Sequence, residues 1–273
     1  VDERGLRRTV AAPRPGAPRV FFLGGSTMWG TGARDEGTIP SLVARRTGWR
    51  VRNYGEAGYV STQERFLLEL ELQRGERPDV VVLYDGVNDV FAAYQTRRGG
   101  LPQNEGFREA EFNLSKSPRR LVRATLAAGL RESATLAIAR RAVGSGATPP
   151  PLSDAERDRV ADEVARAYAR NVEDLVALGR ARGFRVACFL QPVIFTKRVL
   201  APDEVPLERG HAWVRELYLA AYDRIRALAL PSWHDLSDVF ADDPAPRFFD
   251  FCHISEGAND VVARKVVETL EAP

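Results

Sequence analysis

Val80-Val81-Val82-Leu83-Tyr84, followed by Asp85 and then Gly86-Val87-Asn88-Asp89, is the stretch that decides the fold. A short valine-rich run cut off by a glycine reads as a strand buried on both faces, the kind found in parallel sheets. Working outward, the same grammar recurs. Upstream, Val20-Phe21-Phe22-Leu23 is ended by Gly24-Gly25, and Val51 to Tyr54 is a second short run. Downstream, Phe184 to Leu190 reads as a fourth strand and Trp233 to Leu236 as a short fifth. Helical spacing fills the intervals. Residues 36–47 carry Ile39, Leu42 and Val43 on one side. A unit opens at Ser61, expected as N-cap with Glu64 completing a capping box, continues with Phe66, Leu67 and Leu70 at helical spacing, and is stopped by Pro78. Residues 153–182 have Ser153 as N-cap and Gly183 as stop, 209–229 are helical in pattern, and Ser255 caps a last helix to about residue 270. Strands alternating with helices imply an α/β fold on a parallel, doubly wound sheet, whose sites form in loops beyond the carboxyl ends of the strands.

Two stretches depart from this rhythm. Residues 1–18, rich in proline and arginine, read as an irregular lead-in to a single domain over 19–273. Residues 95–152 are too long for an ordinary connection. They begin polar and loop-like, turn helical in pattern over 119–142 and leave through a Gly/Pro-rich segment at 144–151. They are expected to be a helical insertion, either a lid over a site or a decoration without a catalytic role. A second irregular stretch, 191–208, holds Pro192, Pro202 and Pro206.

The bulk numbers bound the class. At 273 residues and 44% hydrophobic content the chain can bury a full core. Its formal net charge of +2 and sequence pI of 8.7 fall short of a nucleic-acid footprint, so no nucleic-acid partner is expected. Only three of its 39 basic residues are lysine (Lys116, Lys197, Lys265). No run of 18 apolar residues is present, so no membrane span is expected. The chain begins at Val1, and the expectation is a secreted or cell-envelope protein with an upstream signal or anchor removed. Cys188 and Cys252 form no C-x-x-C pair and no metal-ligand spacing. Cys188 sits in an apolar run as a core residue, and a pairing of the two stays open. Neither metal nor cofactor is implied, and the oligomeric state is left open.

Four scattered segments hold the chemistry. Ser26 follows the first strand after two glycines. A serine hydroxyl needs a base in hydrogen-bond reach to act as a nucleophile, and a tight turn would expose it; the competing reading is a helix cap. Gly58, in Gly55-Glu56-Ala57-Gly58, and Asn88 are candidate oxyanion donors, one through its backbone N–H and the other through its side-chain amide; alone, each reads equally as a turn residue. His253 is one of three histidines, with Asp250 three residues before it, an offset that lets a carboxylate meet Nδ1 and leaves Nε2 for the serine. His211 and His234 are the rival bases. Asp89 is either a loop-holding or a solvated acid, and it is counted with Trp29 and Tyr59 among the candidate substrate-binding residues; Tyr84 and Phe91 are further aromatics near the site, equally readable as core.

Together, Gly24-Gly25-Ser26-Thr27, Gly55-Glu56-Ala57-Gly58, Gly86-Val87-Asn88-Asp89 and Asp250-Phe251-Cys252-His253 resemble the blocks of the SGNH/GDSL hydrolase superfamily. The resemblance covers about 19–94 and 184–270 and leaves the insertion outside. It implies a flavodoxin-like three-layer α/β/α sandwich with five parallel strands. It implies Ser26 as nucleophile, the N–H groups of Ser26 and Gly58 with the Asn88 side chain as oxyanion hole, His253 as base and Asp250 as its partner. One block departs from the family: its first block usually reads Gly-Asp-Ser, and here Gly25 stands for the aspartate, a residue that supports the loop rather than reacting. The implied activity is a serine esterase or acyl hydrolase acting through an acyl-serine on a small or carbohydrate-linked ester. The alternatives are an O-acyltransferase using the same triad, a non-catalytic flavodoxin-like protein cradling a phosphate at Gly24 to Gly32, and a catalytically dead glycan-binding relative. The phosphate reading lacks a Gly-Lys-Ser/Thr or Gly-x-Gly-x-x-Gly string and leaves Asn88, Asp250 and His253 unexplained; the intact Ser, Asn, Asp and His argue against the dead relative.

Overall fold

The computed structural model describes residues 1–105, 108–109 and 151–272. The chain forms two compact units, 1–103 with 154–273 and 104–153. The helical pattern at 119–142, and with it the choice between lid and decoration, lies outside the described residues.

Five strands form one parallel sheet: β1 (Arg19–Gly24), β2 (Arg50–Gly55), β3 (Val80–Asp85), β4 (Arg185–Leu190) and β5 (Trp233–Asp235), in the order β2-β1-β3-β4-β5. Every adjacent pair is parallel, and Leu23 aligns with Tyr54 on one side and Leu83 on the other. β3 at the centre is buried at every position, which is why its sequence is an unbroken apolar run rather than an alternation.

Helices cover both faces. α1 (Ser26–Trp29) is one turn, and α2 (Ile39–Thr47) packs against the last helix, α8 (Glu256–Glu271). On the other side α3 (Ser61–Gln73), α4 (Val87–Thr96) and α7 (Ala212–Arg226) pack on the long α5 (Asp154–Arg182); α6 (Val205–Gly210) precedes α7, with the break at His211. Ser255 caps α8 by accepting the Ala258 N–H at 3.3 Å. Gly183, at φ +78°, stops α5 as expected, its N–H donating to Gly179.

The start of α3 corrects the sequence reading. The N-cap residue is Val60, whose N–H donates to Gln63 Oε1 at 3.3 Å. Ser61 lies inside the helix, its hydroxyl donating to Asp89 at 2.6 Å, and Glu64 is fully buried rather than reaching back to a cap. The expected apolar face is turned as well, with Leu68 and Leu72 buried in place of Phe66 and Leu70. Phe66 is 50% and Leu70 49% exposed, while Glu64 and Glu71 face inward. Glu71 is tolerated there because Arg4, Arg74 and the Tyr54 hydroxyl bond to it.

The lead-in 1–18 has no regular element, but it is tied down. Arg7 bridges antiparallel to Asn53 on the free side of β2, and its guanidinium pairs with Asp35. Arg4 reaches Glu71 and Glu76, and Arg14 donates to the Thr47 carbonyl.

Candidate active site

The carboxyl ends of β1, β2 and β3 come together because glycines let them. A Cβ on Gly24 would lie 2.6 Å from both Met28 Cβ and the Tyr84 carbonyl, so only glycine allows α1 to start this close to the sheet. The turn that follows presents Ser26 as the first residue of α1. Three contacts fix this turn. Asn53 Nδ2 donates to the Met28 carbonyl at 2.9 Å, the Glu56 N–H to the Gly24 carbonyl at 2.9 Å, and Gln191 Nε2 to Thr27 Oγ1 at 3.2 Å.

Across this turn stands the Asp250–His253 segment. His253 Nε2 lies 2.7 Å from Ser26 Oγ, and His253 Nδ1 lies 2.5 Å from Asp250 Oδ2. The other Asp250 oxygen accepts the N–H groups of Cys252 at 2.8 Å and His253 at 2.7 Å. Burial by itself would raise the Asp250 pKa; the hydrogen bonds from the His253 ring and these two N–H groups outweigh it and hold the carboxyl below its ordinary value. An ionised Asp250 fixes the proton on Nδ1 and leaves the Nε2 lone pair facing the serine. The arrangement can therefore remove a proton from Ser26 and hold it as imidazolium.

His253 is the only histidine among the described residues that meets Ser26. His211 bonds through Nδ1 to the Leu207 carbonyl at 2.9 Å, and His234 stacks on Phe189. Asp250, Cys252 and His253 also place three potential metal-ligand atoms within 4.8 Å of one another. Burial raises the Cys252 thiol well above its ordinary value, which disfavours the thiolate a metal would need, and both imidazole nitrogens are engaged. Cys188 and Cys252 are both free and buried, so the two do not pair.

The oxyanion candidates Ser26, Gly58 and Asn88 follow the carboxyl ends of β1, β2 and β3. Asn88 Nδ2 donates to the Tyr59 carbonyl at 2.8 Å, which leaves its second N–H. A Cβ on Gly25 would collide with Asn88 Nδ2, so the residue that departs from the family pattern is the one whose missing side chain admits this amide. Gly58 takes φ +78°, a left-handed turn that suits glycine. Among the described residues no protein acceptor takes the N–H of Gly58 or of Ser26.

Other expected residues fall elsewhere. Asp89 is buried, not solvated: it accepts the Ser61 hydroxyl and N–H, so it braces the 55–61 loop and presents no surface to a substrate. Tyr84 is wholly inside the core. Trp29 is half-buried with the Arg7 guanidinium 5.6 Å over its ring, and Tyr59 is half-buried beside Gly25 through its carbonyl. Phe91 belongs to an aromatic group near the His253 segment: Phe251 stacks on it at 5.8 Å and lies 4.8 Å from His211, and Trp213 packs 6.3 Å from Phe91.

Three residues carried no signal in the sequence. Gln103 Nε2 donates to Asn88 Oδ1 at 3.1 Å. Lys197 and Glu204, both side chains at 0% exposure, form an ion pair inside the stretch read only as irregular. Glu204 also accepts the N–H groups of Ala201 at 2.8 Å, Arg247 at 2.8 Å and Phe248 at 3.0 Å, and Lys197 donates to the Ala245 carbonyl at 2.6 Å. This hub ties 197–204 to the strap that leads into Asp250 and His253.

A model of the GDSL-like lipase/acylhydrolase family matches residues 22–256. No curated protein matches the chain. Among solved structures, the chain is similar to Axe2, an acetylxylan esterase from Geobacillus stearothermophilus, at 15% identity and a TM-score of 0.47, covering 94% of this chain and 95% of that one. It is also similar to a member of the lipolytic protein G-D-S-L family from Veillonella parvula DSM 2008, at 12% identity and a TM-score of 0.45, covering 92% and 96%.

Proposed function

We propose a chemistry that starts from one premise: the chain belongs to the GDSL-like lipase/acylhydrolase family. Ser26 is the nucleophile of a covalent, two-step ester hydrolysis. His253 Nε2 takes the hydroxyl proton as Ser26 Oγ adds to the ester carbonyl, and Asp250 stabilises the imidazolium. The tetrahedral oxyanion receives the N–H groups of Ser26 and Gly58 and the free N–H of Asn88. Collapse breaks the carbon–oxygen bond to the alcohol, which leaves with the proton from His253. A water then gives its proton to His253, attacks the acyl-serine and releases the acid, returning the proton to Ser26.

One observation carries this reading: the unbroken line from Ser26 Oγ through His253 to Asp250, at 2.7 and 2.5 Å. The substrate is a small ester on a sugar or similar polar ring. The partly exposed Trp213, backed by Phe91, offers a flat apolar surface for such a ring.

The test is labelling with a fluorophosphonate, read by intact mass and peptide mapping, with Ser26→Ala alongside. A single adduct on Ser26, absent in the variant, is expected. An adduct elsewhere, or equal ester hydrolysis by Ser26→Ala, would overturn the assignment.

A further inference from the structure

We propose that Gln103 is a positioning residue for the oxyanion site, acting through Asn88; the proposal rests on the acyl-serine reading above. The second N–H of Asn88 serves an oxyanion only if the amide plane is fixed. One contact alone, Nδ2 to the Tyr59 carbonyl at 2.8 Å, is a pivot about which the amide can swing. Gln103 supplies the second point, at the opposite end of the group: its Nε2–H donates to Asn88 Oδ1 at 3.1 Å. Held at both ends, the amide keeps its oxygen away from the site and its free N–H on the Gly25 side, where a Cβ would strike it.

The same side chain stands beside the second donor. A Cβ built on Gly58 would meet Gln103 Oε1 at 3.5 Å, so Gln103 borders both donors contributed from outside the Ser26 turn. Gly25 completes the device. A side chain at that position would occupy the space of the Asn88 amide, and with glycine there the amide is steadied instead by the Gln103 and Tyr59 contacts on its two ends.

A preorganised donor acts because it costs no reorganisation as charge develops, so a loosened amide lowers the chemical rate more than it weakens substrate binding. The experiment is a double-mutant cycle on the whole chain with p-nitrophenyl acetate, using Gln103→Leu, Gln103→Glu and Asn88→Ala. Gln103→Leu is expected to lower kcat about tenfold with KM changed less than about twofold, since a misplacement of about 1 Å can cost about 10²-fold and the Tyr59 contact still holds one end of the amide. Gln103→Glu is expected to lower it further, because a carboxylate opposes Asn88 Oδ1 and cannot donate to it.

In the Asn88→Ala background the Gln103 substitutions are expected to change kcat less than about twofold, since nothing is left to position. A wild-type kcat in Gln103→Leu, or an equal loss with and without the Asn88 amide, overturns the proposal in favour of a merely structural glutamine. Thermal midpoints of each variant identify a loss due to unfolding. Ser26→Ala, assayed in parallel, separates the two levels. If it stays active, the acyl-serine reading fails and this inference with it; if it is inactive while the cycle shows no coupling, the positioning role alone fails.

Discussion

The proposed nucleophile half and the proposed base half of this site are built from opposite materials. On the nucleophile side, Ser26, Gly58 and Asn88 sit at the ends of three adjacent strands, and what brings them together is missing side chains: Gly24 admits the start of α1, and Gly25 admits the Asn88 amide. On the base side there is no strand end to stand on. Asp250 and His253 sit on a short loop closed by an antiparallel bridge between Phe248 and Ile254, and a fully buried Lys197–Glu204 pair with three backbone N–H groups on the same carboxylate anchors the chain that leads into it. Burial would raise the Glu204 pKa, but the bonds from Lys197 and these N–H groups outweigh it, so the carboxyl titrates below its ordinary value. The contrast teaches that position can come from the sheet by close approach or be built without it by desolvated charge, and the two fail differently.

The first way to break the comparison is to remove one member from each half. Ser26→Ala and His253→Ala are each expected to lower kcat by roughly 10⁴–10⁶, with the double variant no worse than either, because a nucleophile and its base act as one unit. Steady-state rates of the three proteins check it, and additive losses would mean that the halves act separately.

The next effect separates the two kinds of support. Glu204→Gln leaves Lys197 buried without its partner and is expected to cost about 3–5 kcal/mol of stability, read from denaturant melts. Lys197→Met with Glu204→Gln, which removes both charges but keeps an amide oxygen for the N–H groups of Ala201, Arg247 and Phe248, should recover part of that loss in the same melts, whereas Glu204→Leu, which strands those N–H groups, should not.

Gly25→Ala is expected to do the reverse. It leaves the melt near wild type and lowers kcat by roughly 10²–10³, the usual cost of losing an oxyanion donor. A normal kcat in Gly25→Ala would show that the Asn88 amide can yield to a side chain there.

The smallest effect lies with Glu64, Asp85 and Asp89, which are buried near one another. Burial raises all three pKa values; repulsion from neighbouring carboxylates adds to it at Glu64 and Asp85, while the bonds from Ser61 offset part of it at Asp89. Such groups keep their protons when folded and lose them when unfolded. Their contribution to stability is therefore greatest below the ordinary carboxylate range and declines as pH rises toward their folded values. Asp85→Asn is expected to flatten that decline in melts taken from about pH 5 to about pH 8; an unchanged slope would mean that Asp85 is ionised in the folded protein.

What the sequence disclosed follows the same division. Ser26, Asn88 and the five strands were legible because apolar runs cut by glycine mark strand ends, and sites in parallel sheets lie just beyond them. The Asp250–His253 pair was legible because its offset is local. Ser61 misled because serine is a favoured cap, while its real partner, Asp89, is 28 residues away and invisible to any local rule. Phe66 and Leu70 misled because helical spacing gives a face but not its direction, and Glu64 and Glu71 took the inside. Gln103, Lys197 and Glu204 gave no sign at all, since their roles depend on contacts made across folded chain.

The lead-in holds a consequence of a different kind. β2 is an outer strand of the sheet, and Arg7 and its neighbours lie along the side that no other strand covers. A polypeptide shortened to begin at Arg19 would keep every residue of the proposed chemistry and bare that strand's unpaired backbone. Bare strand edges recruit other chains, so such a protein should lose solubility and aggregate before it loses its catalytic fold.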